Sequence, residues 1–136
     1  MNNRQISWRK TGCAGLLLCA ATAIASPAQT FTTLVSFDEP NGRQPRYSVV
    51  QGTDGNLYGT TQNGGAYDYG TVFKMTPTGT LTTLYSFCPQ VPNCTDGADP
   101  FAGLVVGTDG NFYGTTCCGG ANGGYGTIFK ITSGVP

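Results

Sequence analysis

Gly52-Thr53-Asp54-Gly55-Asn56-Leu57-Tyr58-Gly59-Thr60-Thr61 returns 55 residues later as Gly107-Thr108-Asp109-Gly110-Asn111-Phe112-Tyr113-Gly114-Thr115-Thr116. Two shorter blocks flank it. Gly70-Thr71-Val72-Phe73-Lys74 recurs as Gly126-Thr127-Ile128-Phe129-Lys130, an offset of 56. Phe31-Thr32-Thr33-Leu34-Val35-Ser36-Phe37 recurs as Leu81-Thr82-Thr83-Leu84-Tyr85-Ser86-Phe87, an offset of 50. The offset grows because the second copy inserts residues around Cys88 to Cys94 and one more in its glycine loop. Three matched blocks in the same order are beyond chance. The body of the chain is a tandem repeat of about 50 residues, a period shared with propeller blades.

Each unit reads as four short strands. Tyr47 to Gln51 is the first, and the Asp54-Gly55 pair turns it into the second, Asn56 to Thr61. Asp-Gly between extended runs suits a type I′ hairpin turn, because glycine adopts positive φ cheaply. A loop through Gly64-Gly65 leads to the third strand, Thr71 to Met75, and Pro77-Thr78-Gly79 turns the chain into the fourth, Leu81 to Phe87. Val, Thr, Tyr and Phe dominate these runs, and none shows a helical period. Apolar residues fall on both sides of the third and fourth strands, as expected when a sheet is sandwiched between neighbours. The fold expected is all-β, a propeller-like array of four-stranded antiparallel blades; a β-sandwich or a β-solenoid stays open.

The boundaries are a lone fourth-type strand over 31–37, repeat one over 47–87 and repeat two over 101–131, all within residues 29–136. Two repeats are fewer than the four to eight blades of a typical ring. Either several chains assemble into one ring or the chain is a fragment of a longer array. The second reading is favoured, since repeat arrays need about three or more units to be stable.

Residues 1–28 have a different composition. Arg4, Arg9 and Lys10 precede an apolar stretch from Cys13 to Ala25, and small residues follow up to Ala28. This is the layout of a secretory signal, with cleavage expected after Ala28. The apolar run is 13 residues long, against about 20 for a membrane-spanning helix. An uncleaved anchor and a lipoprotein through Cys19 are the lesser alternatives. Without the signal, four basic residues (Arg43, Arg46, Lys74, Lys130) face seven acidic ones, and four cysteines remain. The protein is expected to be secreted or held at the cell envelope, without a membrane span in the mature chain.

Composition excludes several chemistries. There is no histidine, which removes Ser-His-Asp and Cys-His catalysis and every histidine metal site. No basic patch suggests a nucleic-acid partner. Cys88 and Cys94 flank one short loop and are expected to form a local disulfide in an oxidising compartment. Cys117 and Cys118 are adjacent, read as a vicinal bridge or two free thiols. The 88/94 and 117/118 spacings do not suit a Cys₄ zinc site. The repeated Thr-Asp-Gly-Asn resembles part of a calcium loop but lacks its closing carboxylate, so turn formation explains it better. Tyr58 and Tyr113 read as packing between units, and Gly59 and Gly114 as sites of close approach. No cofactor or metal is expected.

The varied loops, between the second and third strands and between units, gather at one end. A ligand face there would collect Asp38, Glu39 and Arg43 with Tyr67, Asp68, Tyr69, Asp96, Asp99 and Tyr125. Tyrosines on a polar rim suit a sugar or peptide.

The runs GTDGNLYGTT, GTVFK and LTTLYSF, with DGADPFAGLV between copies, resemble the GloVer tandem-repeat family of exported bacterial proteins. The resemblance covers nearly the whole mature chain. It implies a β-propeller-like array outside the cell, often fixed to the envelope by a C-terminal sorting signal, and it brings no reaction and no catalytic residues. The chain departs from the family in its few copies and in having no hydrophobic anchor after Lys130.

The function expected is that of a non-catalytic surface module binding polysaccharide or another protein, with a homo-oligomer completing the ring as one form of assembly. The alternative is a piece of a larger propeller enzyme, a glycoside hydrolase or lyase. It would use loop carboxylates from the pairs Asp38-Glu39 and Asp96 with Asp99.

Overall fold

The structure is a computed structural model that describes residues 28–133. The signal segment expected over 1–28 lies outside the described residues except for Ala28. Strands β1 (Val50–Gln51), β2 (Leu57–Thr61), β3 (Thr71–Met75) and β4 (Leu81–Ser86) form one antiparallel sheet in that order. The second sheet holds β5 (Ala98–Pro100), β6 (Val105–Val106), β7 (Phe112–Cys118) and β8 (Ile128–Ile131), all antiparallel to their partners. One 3-10 turn, Glu39–Asn41, precedes them. The all-β expectation holds, as two open four-stranded sheets. Among the described residues no helix is long and apolar enough to cross a membrane.

The first strand of each unit is split. β5 and β6 pair with successive stretches of β7. The first unit shows the same break, with Arg43 bridged to Asn63 well before β1. Ala98 opposite Cys118 is the same pairing, 55 residues on. The cause is local: Gln44 (φ 58°) and Asp99 (φ 52°) occupy equivalent left-handed positions, which an extended ladder does not accommodate.

The Asp-Gly turns differ from the expected type. A type I′ turn needs positive φ at both central residues, yet only Gly55 (φ 78°) and Gly110 (φ 75°) are left-handed. Gly55 N–H donates to the Gly52 carbonyl and Gly52 N–H to the Asn56 carbonyl. This is a three-residue hairpin loop with glycine in the left-handed place. The aspartate explains the preference. The backbone N–H and Nδ2 of Asn56 and the hydroxyl of Tyr58 all donate to Asp54, at 3.1, 2.6 and 2.8 Å. Asp109 repeats the set with Asn111 and Tyr113, at 3.1, 2.7 and 2.7 Å. Both carboxylates are thus consumed by the turn.

The two sheets pack face to face through one core of Tyr58, Val72, Phe87, Leu104 and Phe112. The rings of Tyr58 and Phe112 stack with centroids 3.9 Å apart. Phe87, just past β4, sets its edge on Phe129 of β8 at 5.1 Å. Within each sheet a glycine makes room for an aromatic ring. A Cβ on Gly59 would lie 2.6 Å from the ring of Phe73, its cross-strand neighbour. The close approach expected at Gly59 therefore serves a ring of the same sheet.

Two expectations fail for one reason. The strand expected over 31–37 joins no ladder among the described residues. Tyr113, expected to pack between units like Tyr58, lies on an uncovered face with its hydroxyl on Asp109. Both lack the neighbouring unit that the rest of the repeat finds. Phe37 nevertheless meets Phe73 at 5.1 Å and 64°, matching Phe87 on Phe129 at 5.1 Å and 65°.

Two predictions follow from this packing. Tyr58→Ala removes a fully buried ring and is expected to cost about 3–5 kcal/mol, whereas Tyr113→Ala is expected to cost less than about 1 kcal/mol. Urea unfolding measures both, and equal costs would show that the sheets do not stack through Tyr58. The Asn56 hydrogen bonds, with those of Tyr58 and Lys74, hold Asp54 down to about 2 from an ordinary 3.8. A carboxylate with a lowered folded pKa contributes stability above its unfolded value and loses it as pH falls. Thermal stability is expected to drop between about pH 4 and 2, and Asp54→Asn to flatten that drop.

Candidate functional site

The loop end of each sheet is organised by a pair of threonines at the ends of the second and third strands. The hydroxyls of Thr61 and Thr71 lie 2.8 Å apart, and Thr71 N–H donates to Thr61 Oγ1 at 3.2 Å. They also reach the carbonyls of Asn63 and Asn41, at 3.0 and 3.3 Å. Thr116 and Thr127 repeat the arrangement, 3.0 Å apart, on the carbonyls of Cys118 and Asp96. The recurrent Gly-Thr-Thr and Gly-Thr blocks thus pin the inter-unit loop to the sheet end.

On this frame a groove of about 470 Å³ opens between Glu39, Pro40, Gly64, Gly65, Ala66 and Asp68. Arg43 Nη2 donates to both oxygens of Asp68, at 2.8 and 3.0 Å, and Gly64 N–H donates to Oδ1 at 3.0 Å. The Arg43 guanidinium, helped by the Gly64 amide, holds the Asp68 carboxyl below the usual carboxylate range. Arg43 Nη1 also stands 3.9 Å from Glu39. Tyr67 is exposed beside the groove. The bidentate fork fixes the carboxylate plane, so the rim is polar and preset in geometry.

The other residues expected at a ligand face have different surroundings. Asp38 caps the 3-10 turn by accepting from Asn41. Tyr69 is half-buried against Cys88, Cys94 and Ala98, and its carbonyl accepts from Asp99 N–H at 2.9 Å. Asp96 accepts from the Tyr85 hydroxyl at 2.8 Å and from Cys88 N–H at 3.1 Å, which orders the loop. Burial and then the Tyr67 and Asp96 surroundings leave Tyr85 pushed up to about 12. Tyr125 is 91% exposed. Of the expected set, the structure therefore brings Tyr67 and Asp68 together at the groove, with Asp99 facing them electrostatically. Asp99 is half-buried, and burial, followed by the Asp68 charge, raises its pKa.

The expected Cys88–Cys94 disulfide is present. Closing so short a loop contributes on the order of 2 kcal/mol. Cys117 and Cys118 are free thiols whose Sγ atoms lie 2.9 Å apart. Together with a carboxylate oxygen of Asp99 they fall within 4.8 Å of one another, the tightest group of metal-capable side chains among the described residues. Sequence reading paired the cysteines only with each other. The missed signal is register: Ala98 opposes Cys118 and Pro100 opposes Thr116, which sets Asp99 across from Cys117. Burial first, and then the Cys118 thiol, push Cys117 up to about 11. A protonated thiol is a poor nucleophile and a poor ligand. Cys117 is therefore expected to react slowly with iodoacetamide at neutral pH and faster only as pH climbs towards 11; rapid labelling at pH 7 would contradict this environment.

Comparison with curated proteins gives no match, and neither does comparison with solved structures. One family profile does match, over residues 21–135. That span contains both sheets, the paired threonines and the two Asp-Gly-Asn turns, and on it the chain belongs to the Gloeobacter/Verrucomicrobia repeat family.

Proposed function

We propose that the chain is an exported, non-catalytic repeat module whose loop end binds a polysaccharide or a protein outside the cell. The observation that carries this reading is the groove beside Tyr67, with Asp68 clamped by Arg43 and Glu39 on the opposite wall. An exposed ring next to fixed hydrogen-bonding groups suits a sugar face or a peptide backbone. The Cys88–Cys94 disulfide is compatible with an oxidising compartment, which supports secretion or display at the envelope. The two sheets stack as successive blades of a propeller do, and further copies of the chain complete the ring that two units leave open.

A specific observation favours a second reading, a carbohydrate-cleaving enzyme. Asp68 is held low by Arg43 while Asp99 is raised by burial, and carboxyls driven apart in this way serve as base and acid in such enzymes. The two readings separate in one experiment. On a glycan and cell-wall polymer array, Tyr67→Ala is expected to abolish binding by the purified chain, with no cleavage of the bound polymer. Cleavage lost in Asp99→Asn would establish the enzyme instead. Fractionation of the producing cells tests export, and a chain retained in the cytoplasm would overturn that part.

A further inference from the structure

The chain carries the two unpaired halves of one strand ladder at opposite ends. β4 pairs with β3, with Val72 opposite Tyr85 and Thr71 opposite Ser86. β8 is the equivalent of β3, yet among the described residues its only partner is β7. Thr32–Phe37 is the equivalent of β4, and it joins no ladder. Its Phe37 already sits on Phe73 as Phe87 sits on Phe129.

The sheet faces tell the same story. Tyr58 and Val72 are fully buried beneath the second sheet. Their counterparts are Tyr113 and Ile128, and Ile128 is 82% exposed. With Val105, 63% exposed, they line a mostly apolar groove of about 280 Å³. Polar contacts are repeated as well. Thr60 donates to the Ala102 carbonyl at 3.1 Å and Asp99 N–H donates to the Tyr69 carbonyl at 2.9 Å, whereas the matching Thr115 and Tyr125 are exposed.

We propose that copies of this chain associate head to tail, the Thr32–Phe37 segment of one copy adding as a fourth strand to the open edge of β8 in the next. This rests on the reading that copies complete the array. The occupant is argued from the contact the chain makes with itself, because the surface that covers the first sheet's face has its own repeat on the first sheet's other side. In the register of β3 and β4, Ile128 faces Val35 and Thr127 faces Ser36 of the second copy. The Tyr113 ring lies against Leu57 of that copy, as Tyr58 lies against Phe112. Such an interface is heterologous, and it ends only by closing a ring or by running on as a filament.

The test uses the protein purified from whichever cell fraction holds it, with solution mass read by light scattering. The wild type is expected to be larger than one chain. Ile128→Lys charges the exposed β8 edge, and Val49→Lys charges the other face, where Val49 is 43% exposed. Each variant alone is expected to be a folded monomer by circular dichroism, and an equal mixture to form a dimer that grows no further. A monomeric wild type overturns both the assembly reading and this surface. An oligomeric wild type that Ile128→Lys leaves intact overturns the surface alone, as does a Val49→Lys variant that dimerises with itself. Val35→Cys with Ile128→Cys, in a Cys117→Ser/Cys118→Ser background, reports register: an interchain disulfide is expected, and an intrachain one refutes the proposal.

Discussion

A four-stranded sheet of this repeat has apolar side chains on both faces, so a single unit cannot keep both from water. That constraint governs the molecule. Stacking Tyr58 on Phe112, and Phe87 on Phe129, resolves it for the two faces that meet. Burial of such rings is the largest favourable contribution a chain this small can make. The outer faces are left with partial solutions. Phe37 shields Phe73 on one side, and Ile128 and Val105 stay in solvent on the other.

The polar motifs of the repeat serve this stack. Asp54 and Asp109 each bind a following asparagine and a tyrosine hydroxyl. Each turn therefore holds, by its polar end, the aromatic side chain whose ring faces the next unit. A buried tyrosine needs such a partner, since an orphaned hydroxyl costs more than the bond returns. At the opposite end the paired threonines accept the strand amides and reach the loop carbonyls. Loops tied down in this way present Arg43, Asp68 and Glu39 in one geometry, although none of these lies in a strand.

Much of the candidate site was visible in the chain before any coordinates. The loop positions of Tyr67 and Asp68, and the Cys88–Cys94 pair, follow from strand order and spacing. The Arg43–Asp68 fork and the Asp99–Cys117–Cys118 group do not, because their members are 25 and 18 residues apart and meet only through cross-strand register. The hairpin turn type was misread for a related reason. Asp-Gly is compatible with several turns, and the choice came from the Asp54 side chain binding Asn56.

Repetition of blocks, alternation of side chains and glycine-marked turns determined the strands, their order and the family, since these are local properties written into spacing. The tertiary structure alone decided which copy of each repeated residue is buried. Tyr58 and Tyr113, or Val72 and Ile128, are equivalent in local sequence and differ only in whether a second sheet lies over them. Burial is a property of the assembled neighbours, and no local pattern contains it.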